Sequence, residues 1–119
     1  KDVTMKAGFA VTATENILMM AAFREGKTTI EMAAIEPHVI NLVEFLRSIG
    51  VRIEVDYKHN MIIYGSIIDR KYAETSVIHD YIESGTFIIL GALTAEPSLR
   101  IEHARIGDLT AFLTKCQEA

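Results

Sequence analysis

The 119 residues are enough for one domain and leave no room for a second core. Twelve Lys and Arg are scattered among sixteen Asp and Glu, for a net charge of −4, so the clustered cations that grip a phosphate backbone are missing and no nucleic-acid partner is expected. A single cysteine, Cys116, rules out an internal disulfide and fits a reducing, cytoplasmic compartment. No apolar run approaches the roughly 20 residues of a membrane span, so no membrane partner is expected either. The hydrophobic fraction of 50% and the mean hydropathy of +0.22 are high for so short a chain. Either the helices are buried on nearly every side, or one apolar face is meant for a partner: a missing second domain, or another copy.

Val3–Lys6 reads as a short strand, followed by the loop Ala7-Gly8-Phe9. Thr12 or Thr14 is placed to cap a helix, with Glu15 in its first turn and Ile17, Leu18, Met20, Ala21 and Ala22 as an apolar stripe that Gly26 ends. Thr28–Met32 is β-branched and alternating, as in a strand. Glu36-Pro37 opens a second helix, because proline suits the first helical turn, and Gly50 stops it. From Val51 to Tyr57 apolar and charged residues alternate, and a turn at Lys58-His59-Asn60 leads into Met61–Tyr64 as a hairpin.

The pattern then begins again. An offset of 71 residues sets Ile17-Leu18-Met19 on Ile88-Ile89-Leu90, Glu25 on Glu96, Ile30-Glu31 on Ile101-Glu102, and Leu42 on Leu113, without a gap. This implies duplication of a supersecondary unit, about 1–70 and then a partial copy about 71–119, within one domain. The second copy stops inside its second helix, and the chain opens on a strand without a Met. Both features suggest a piece of something longer. Segments such as Ile17–Phe23 and Ile82–Leu93 carry few charges on any side and so belong inside, whereas the strands alternate as sheets with one wet face do. The expected fold class is α/β (α+β) in repeated βαβαββ units. It is an inside-out α/β barrel, or α-β prism, with helices inside and sheets outside.

Candidate chemistry is sparse. His38, His59, His79 and His103 lack zinc-type spacing, and neither a P-loop nor a nucleophile elbow is present, so no metal, cofactor or catalytic residue is expected. Asp80 and Glu83, like Glu15 and Glu36, are most simply partners of helix dipoles. Cys116 reads as a filler on a helix face. The segment Gly8, Phe9, Ala10, Val11 and Thr12 carries a better argument. It joins a strand to a helix whose first N–H groups lack intrahelical partners and favour an anion such as phosphate.

Ala13-Thr14-Glu15-Asn16-Ile17-Leu18-Met19, Glu25-Gly26-Lys27-Thr28-Thr29-Ile30-Glu31, Ala33-Ala34-Ile35-Glu36-Pro37 and Asp80-Tyr81-Ile82-Glu83-Ser84-Gly85-Thr86 resemble, in this order, the motifs of the enolpyruvyl transferases. The branch they resemble acts on UDP-N-acetylglucosamine in peptidoglycan synthesis. The resemblance covers nearly the whole chain. It implies two domains of repeated units with substrates in the cleft between them, and phosphoenolpyruvate as donor to the 3-hydroxyl of UDP-N-acetylglucosamine. This chain would supply the nucleotide-side wall and be inactive alone. The family's K-x-S-V diphosphate segment falls on Gly8-Phe9-Ala10-Val11, where Val11 matches. Gly8 stands where Lys is usual and Ala10 where Ser is, with Lys6 as a substitute cation; Ile35 and Tyr81 replace two arginines. These departures also fit a non-catalytic module of the same fold, and an enolpyruvyl transferase of the shikimate pathway is a third reading.

Overall fold

In a computed structural model of the chain, residues 1–68, 72–94 and 98–118 are described. They divide into two compact units, Lys1–Ser76 and a second that starts at Val77.

The first unit contains strands β1 (Val3–Lys6), β2 (Gly26–Glu31), β3 (Arg52–Asp56) and β4 (Asn60–Gly65), with helix α1 (Val11–Ala22) between the first two strands and α2 (Pro37–Ser48) before β3. The strands form one sheet in the order β1-β2-β4-β3. β1 runs parallel to β2 with Met5 beside Ile30, whereas β4 is antiparallel to both β2 and β3. Period-two alternation decides which face is dry. Thr28 and Ile30 of β2, Met61 and Ile63 of β4 and Ile53 of β3 are buried in register with one another, while the residues between them are partly or fully exposed. Leu18, Ala21 and Ala22 of α1 and Val39, Val43 and Leu46 of α2 complete the core over that face. Each fully buried Leu or Val contributes about 1.5–3 kcal/mol relative to an exposed one.

Local sequence explains why the helices start and stop there. Pro37 opens α2, and its fixed φ and missing N–H cost nothing at that position. The helix closes in a Schellman pair: Gly50 N–H donates to the Arg47 carbonyl (3.0 Å) and Val51 N–H to the Leu46 carbonyl (3.0 Å), with Gly50 at φ 107°. Arg47 then ties the helix end to β3 through two donations to the Ile53 carbonyl, at 3.1 and 2.7 Å. Gly26 does not end α1, which stops at Ala22; it opens β2 at φ 109°, where an added Cβ would lie 3.3 Å from the Lys1 backbone.

The second unit has helices α3 (Tyr81–Leu93) and α4 (Thr110–Glu118), the latter preceded by a 3-10 turn, Ile106–Leu109. Both helices lie where the 71-residue offset puts them against α1 and α2. The strand expected at Ile101-Glu102 is not formed: its backbone has no partner strand among the described residues, and a strand needs one to satisfy its N–H and C=O groups. The pairing of Glu25 with Glu96 lies outside the described residues. Asp80 is the N-cap of α3, its Oδ1 accepting from the N–H groups of Ile82 (2.8 Å) and Glu83 (3.2 Å). That is the structural role expected of this carboxylate.

The apolar helices are not enclosed in the described chain. Met19 and Met20 of α1 and Phe23 just after it are 44%, 72% and 63% exposed, and on α3 Ile82, Leu90 and Leu93 are exposed. One face of α1 is covered by its own sheet and α2, and nothing among the described residues of the first unit covers the other.

Candidate functional site

Both helices of the first unit begin at the end of the sheet where the parallel strands β1 and β2 finish, which is where α/β sheets present ligand sites. Gly8, Phe9 and Ala10 are all exposed there. Gly8 has φ 61°, and a Cβ built on it meets nothing within 4 Å, so the backbone is open on that side. Phe9 follows with φ 59°, a left-handed conformation unusual for a bulky side chain.

Neither Thr12 nor Thr14 caps α1. The N-cap is Ala10, in an extended conformation (φ −79°, ψ 123°), with no side-chain bond. The first helical bond runs from Thr14 N–H to the Ala10 carbonyl (3.0 Å), so the amides of Val11, Thr12 and Ala13 precede the ladder and carry the positive end of the helix dipole. Glu15 consequently lies beyond the first turn, which has no acidic residue to compete with an anion. Thr12 is exposed, and Val11 packs its side chain against the core.

Thr14 is fully buried, and its hydroxyl is a relay. Oγ1 donates to the Ala10 carbonyl (2.9 Å) and accepts from the buried Ala34 N–H (2.9 Å). This couples the α1 start to the loop between β2 and α2. Two more bonds stitch the loops: Ala7 N–H to the Glu31 carbonyl (2.9 Å) and Phe9 N–H to the Met32 carbonyl (2.6 Å). Lys6, the nearest cation in sequence, is 3.9 Å from Glu31, and both side chains are largely exposed. So loose a surface pair holds Lys6 weakly.

Sequence reading named two residues here but missed what they do. His59, in the β3–β4 turn, packs its ring against the edge of Phe9 with centroids 5.0 Å apart and an interplanar angle of 87°. Glu36 occupies the N-cap position of α2 without a capping bond, and its Oε2 is buried with no hydrogen-bond partner. The signal for His59 lay in the hairpin turn, but nothing in the sequence paired it with Phe9. Of the two positions where the resemblance has arginine, Ile35 packs against the core and Tyr81 opens α3. In the second unit His79 and His103 stack, 5.3 Å apart and 18° from parallel, although far apart in sequence. Cys116 is a partly buried free thiol on α4, beside Phe112 and Leu93 along one groove. No group of three or more His, Cys, Asp or Glu that could hold a metal occurs among the described residues, and no helix there is long and apolar enough to cross a membrane.

Comparison with known proteins adds the family. The sequence model of EPSP synthase (3-phosphoshikimate 1-carboxyvinyltransferase) matches residues 2–119. UDP-N-acetylglucosamine 1-carboxyvinyltransferases from Campylobacter hominis, Helicobacter hepaticus and Idiomarina loihiensis are 43%, 40% and 41% identical over 88%, 91% and 92% of the chain. The chain spans about a quarter of their length, 25–26%. The crystal structure of the enolpyruvyl transferase NikO from Streptomyces tendae superposes over 98% of the chain and 31% of its own, with a TM-score of 0.73 at 19% identity, which shows a shared fold. The chain is therefore a member of the EPSP synthase family of carboxyvinyl, or enolpyruvyl, transferases.

Proposed function

We propose that this chain is the part of a UDP-N-acetylglucosamine 1-carboxyvinyltransferase that forms the nucleotide-side wall of its substrate cleft. The observation that carries this reading is the 40–43% identity to three such enzymes across about nine-tenths of the chain. In the intact enzyme the 3-hydroxyl of UDP-N-acetylglucosamine adds to the enol carbon of phosphoenolpyruvate, and elimination of phosphate leaves the enolpyruvyl ether used in peptidoglycan synthesis. Closure of two domains around the substrates would exclude water from that step.

The chain's own contribution is electrostatic. The unpaired amides of Val11, Thr12 and Ala13, at the positive end of α1, suit the sugar nucleotide's diphosphate. Gly8 lets the ligand approach the backbone, Phe9 and Ala10 line the approach, and Lys6 supplies the charge that Gly8 does not. Further support for an enclosed, inside-out prism comes from the apolar side of α1, where Met19, Met20 and Phe23 await a cover. In this reading the units about 1–70 and 71–119 are copies of one βαβαββ repeat in a single cytoplasmic domain. Their helices are turned inward, and a second domain, or another copy, lies over the apolar face.

A second reading, a non-catalytic module with the same fold, is favoured by Gly8 and Ala10, which remove a positive charge and a hydroxyl. Titrating the labelled chain with UDP-N-acetylglucosamine and following backbone amide shifts separates the two. Movement confined to Val11–Thr14 and their neighbours supports a substrate wall. Silence up to millimolar ligand supports the bare module.

A further inference from the structure

Three non-glycine residues of the first unit have left-handed backbones: Phe9 (φ 59°), Met32 (φ 54°) and His59 (φ 64°). They come from three different connections, β1–α1, β2–α2 and the β3–β4 turn, and they meet at the same end of the sheet. Such conformations persist only where the surroundings over-determine them, and they cluster at functional sites.

Here the surroundings form a closed circuit. Phe9 N–H donates to the Met32 carbonyl (2.6 Å), and Ala33, the next residue, donates its N–H to the His59 carbonyl (2.8 Å). His59 Nδ1 lies 2.8 Å from the Ala33 carbonyl. A carbonyl can only accept, so Nδ1 carries the proton and the imidazole is held in one orientation. The ring then meets the Phe9 ring edge-on, closing the circuit back to its start. Neither the turn geometry nor the ring contact alone accounts for a histidine at this position. Asn or Gly would satisfy the left-handed φ more readily, and neither would reach Phe9.

We propose that His59 is a positioning residue for the candidate site. Through Ala33 and Phe9 it fixes the left-handed Gly8-Phe9 pair, and with it the direction in which the Val11, Thr12 and Ala13 amides point. The consequence for ligand binding rests on the reading of those amides as a diphosphate site; the fixing of the loop does not. His59 acts without touching the ligand. The β3–β4 hairpin becomes the third support of that end of the sheet, beside the two strand–helix loops.

The test compares the labelled chain with His59→Gly and His59→Asn, since Asn keeps an amide donor and tolerates the backbone but loses the ring. Losing a hydrogen bond and its packing is expected to speed Phe9 amide exchange about tenfold or more in His59→Gly, with a smaller change in His59→Asn. The Val11–Ala13 shifts should move, while the amides of Leu46, near the far end of α2, and Val51, just beyond that helix, stay in place. UDP-N-acetylglucosamine affinity should fall about tenfold in His59→Gly, by the same reasoning. Unchanged Phe9 exchange and Val11–Ala13 shifts in both variants would overturn the positioning role, whatever the ligand does. Faster exchange and moved shifts in a chain whose parent binds no UDP-N-acetylglucosamine would uphold the role of His59 and overturn the diphosphate site instead.

Discussion

Replacing Thr14 with Val tests whether the α1 start is held by a buried hydroxyl rather than by a cap. The two side chains have nearly the same shape, so little changes besides the relay. The Ala10 carbonyl keeps a partner, because Thr14 N–H already reaches it at 3.0 Å. The Ala34 N–H does not: its acceptor at 2.9 Å is gone, and Ala34 is only 2% exposed, so water cannot take over. Leaving a buried donor unpaired costs about 1–3 kcal/mol. At about 4–8 °C per kcal/mol for a cooperative unit of this size, a central value of about 2 kcal/mol lowers Tm by about 8–16 °C. Thr14→Ser is the control. It keeps both bonds and loses one buried methyl, for about 1 kcal/mol. Thermal melts of the three proteins, with amide exchange at Ala34, decide the matter. Stability should fall in the order Thr, Ser, Val, with Ala34 exchanging faster only in Thr14→Val. A Val variant as stable as the Ser variant, with Ala34 still protected, would refute the relay.

Ala10→Ser should stabilise the chain by about 0.5–2 kcal/mol in a denaturant melt, because the N-cap already has the extended conformation in which a serine oxygen caps the first turn. Gly65→Ala should destabilise by the upper end of about 1–3 kcal/mol or more, since the new Cβ would collide with the Ala21 and Arg24 carbonyl oxygens, backbone atoms that cannot swing aside. The Asp56 carboxyl is held below its ordinary value, first by the Lys58 backbone N–H and then by the Asn60 side chain. A lowered folded-state value means that this turn contact contributes above the ordinary carboxylate pKa and is lost as pH falls through the folded value. An NMR titration of Asp56 should therefore give a midpoint below that of an unstructured aspartate, and Asp56→Asn should abolish that part of the hairpin's acid sensitivity.

Much of the first unit was legible because its signals are local. Pro37 and Gly50 mark the ends of α2 by backbone chemistry alone, and the alternation from Val51 onward separates dry from wet faces of the sheet without tertiary information. The α1 start was misread because threonine is a good cap in isolation. Here the chain reaches its extended N-cap at Ala10, and Thr14 is drawn inward by a partner twenty residues away, Ala34. The Phe9–His59 contact was invisible for the same reason: it needs the hairpin and the β1–α1 loop to arrive at one end of the sheet. Ile101-Glu102 failed as a strand because its sequence copies β2 while the neighbours that pair with β2 have no counterpart in the second unit among the described residues. The candidate site was half legible: Gly8–Thr12 could be named from strand–loop–helix order, whereas the residues that hold it, Thr14, Met32 and His59, are known only from packing.

A crystal structure of this chain with UDP-N-acetylglucosamine would test the central claim most directly. The account predicts the diphosphate at hydrogen-bonding distance from the amides of Val11, Thr12 and Ala13, with Lys6 turned from Glu31 toward it. A sugar nucleotide seated elsewhere, with those amides facing bulk water and Lys6 still beside Glu31, would contradict it.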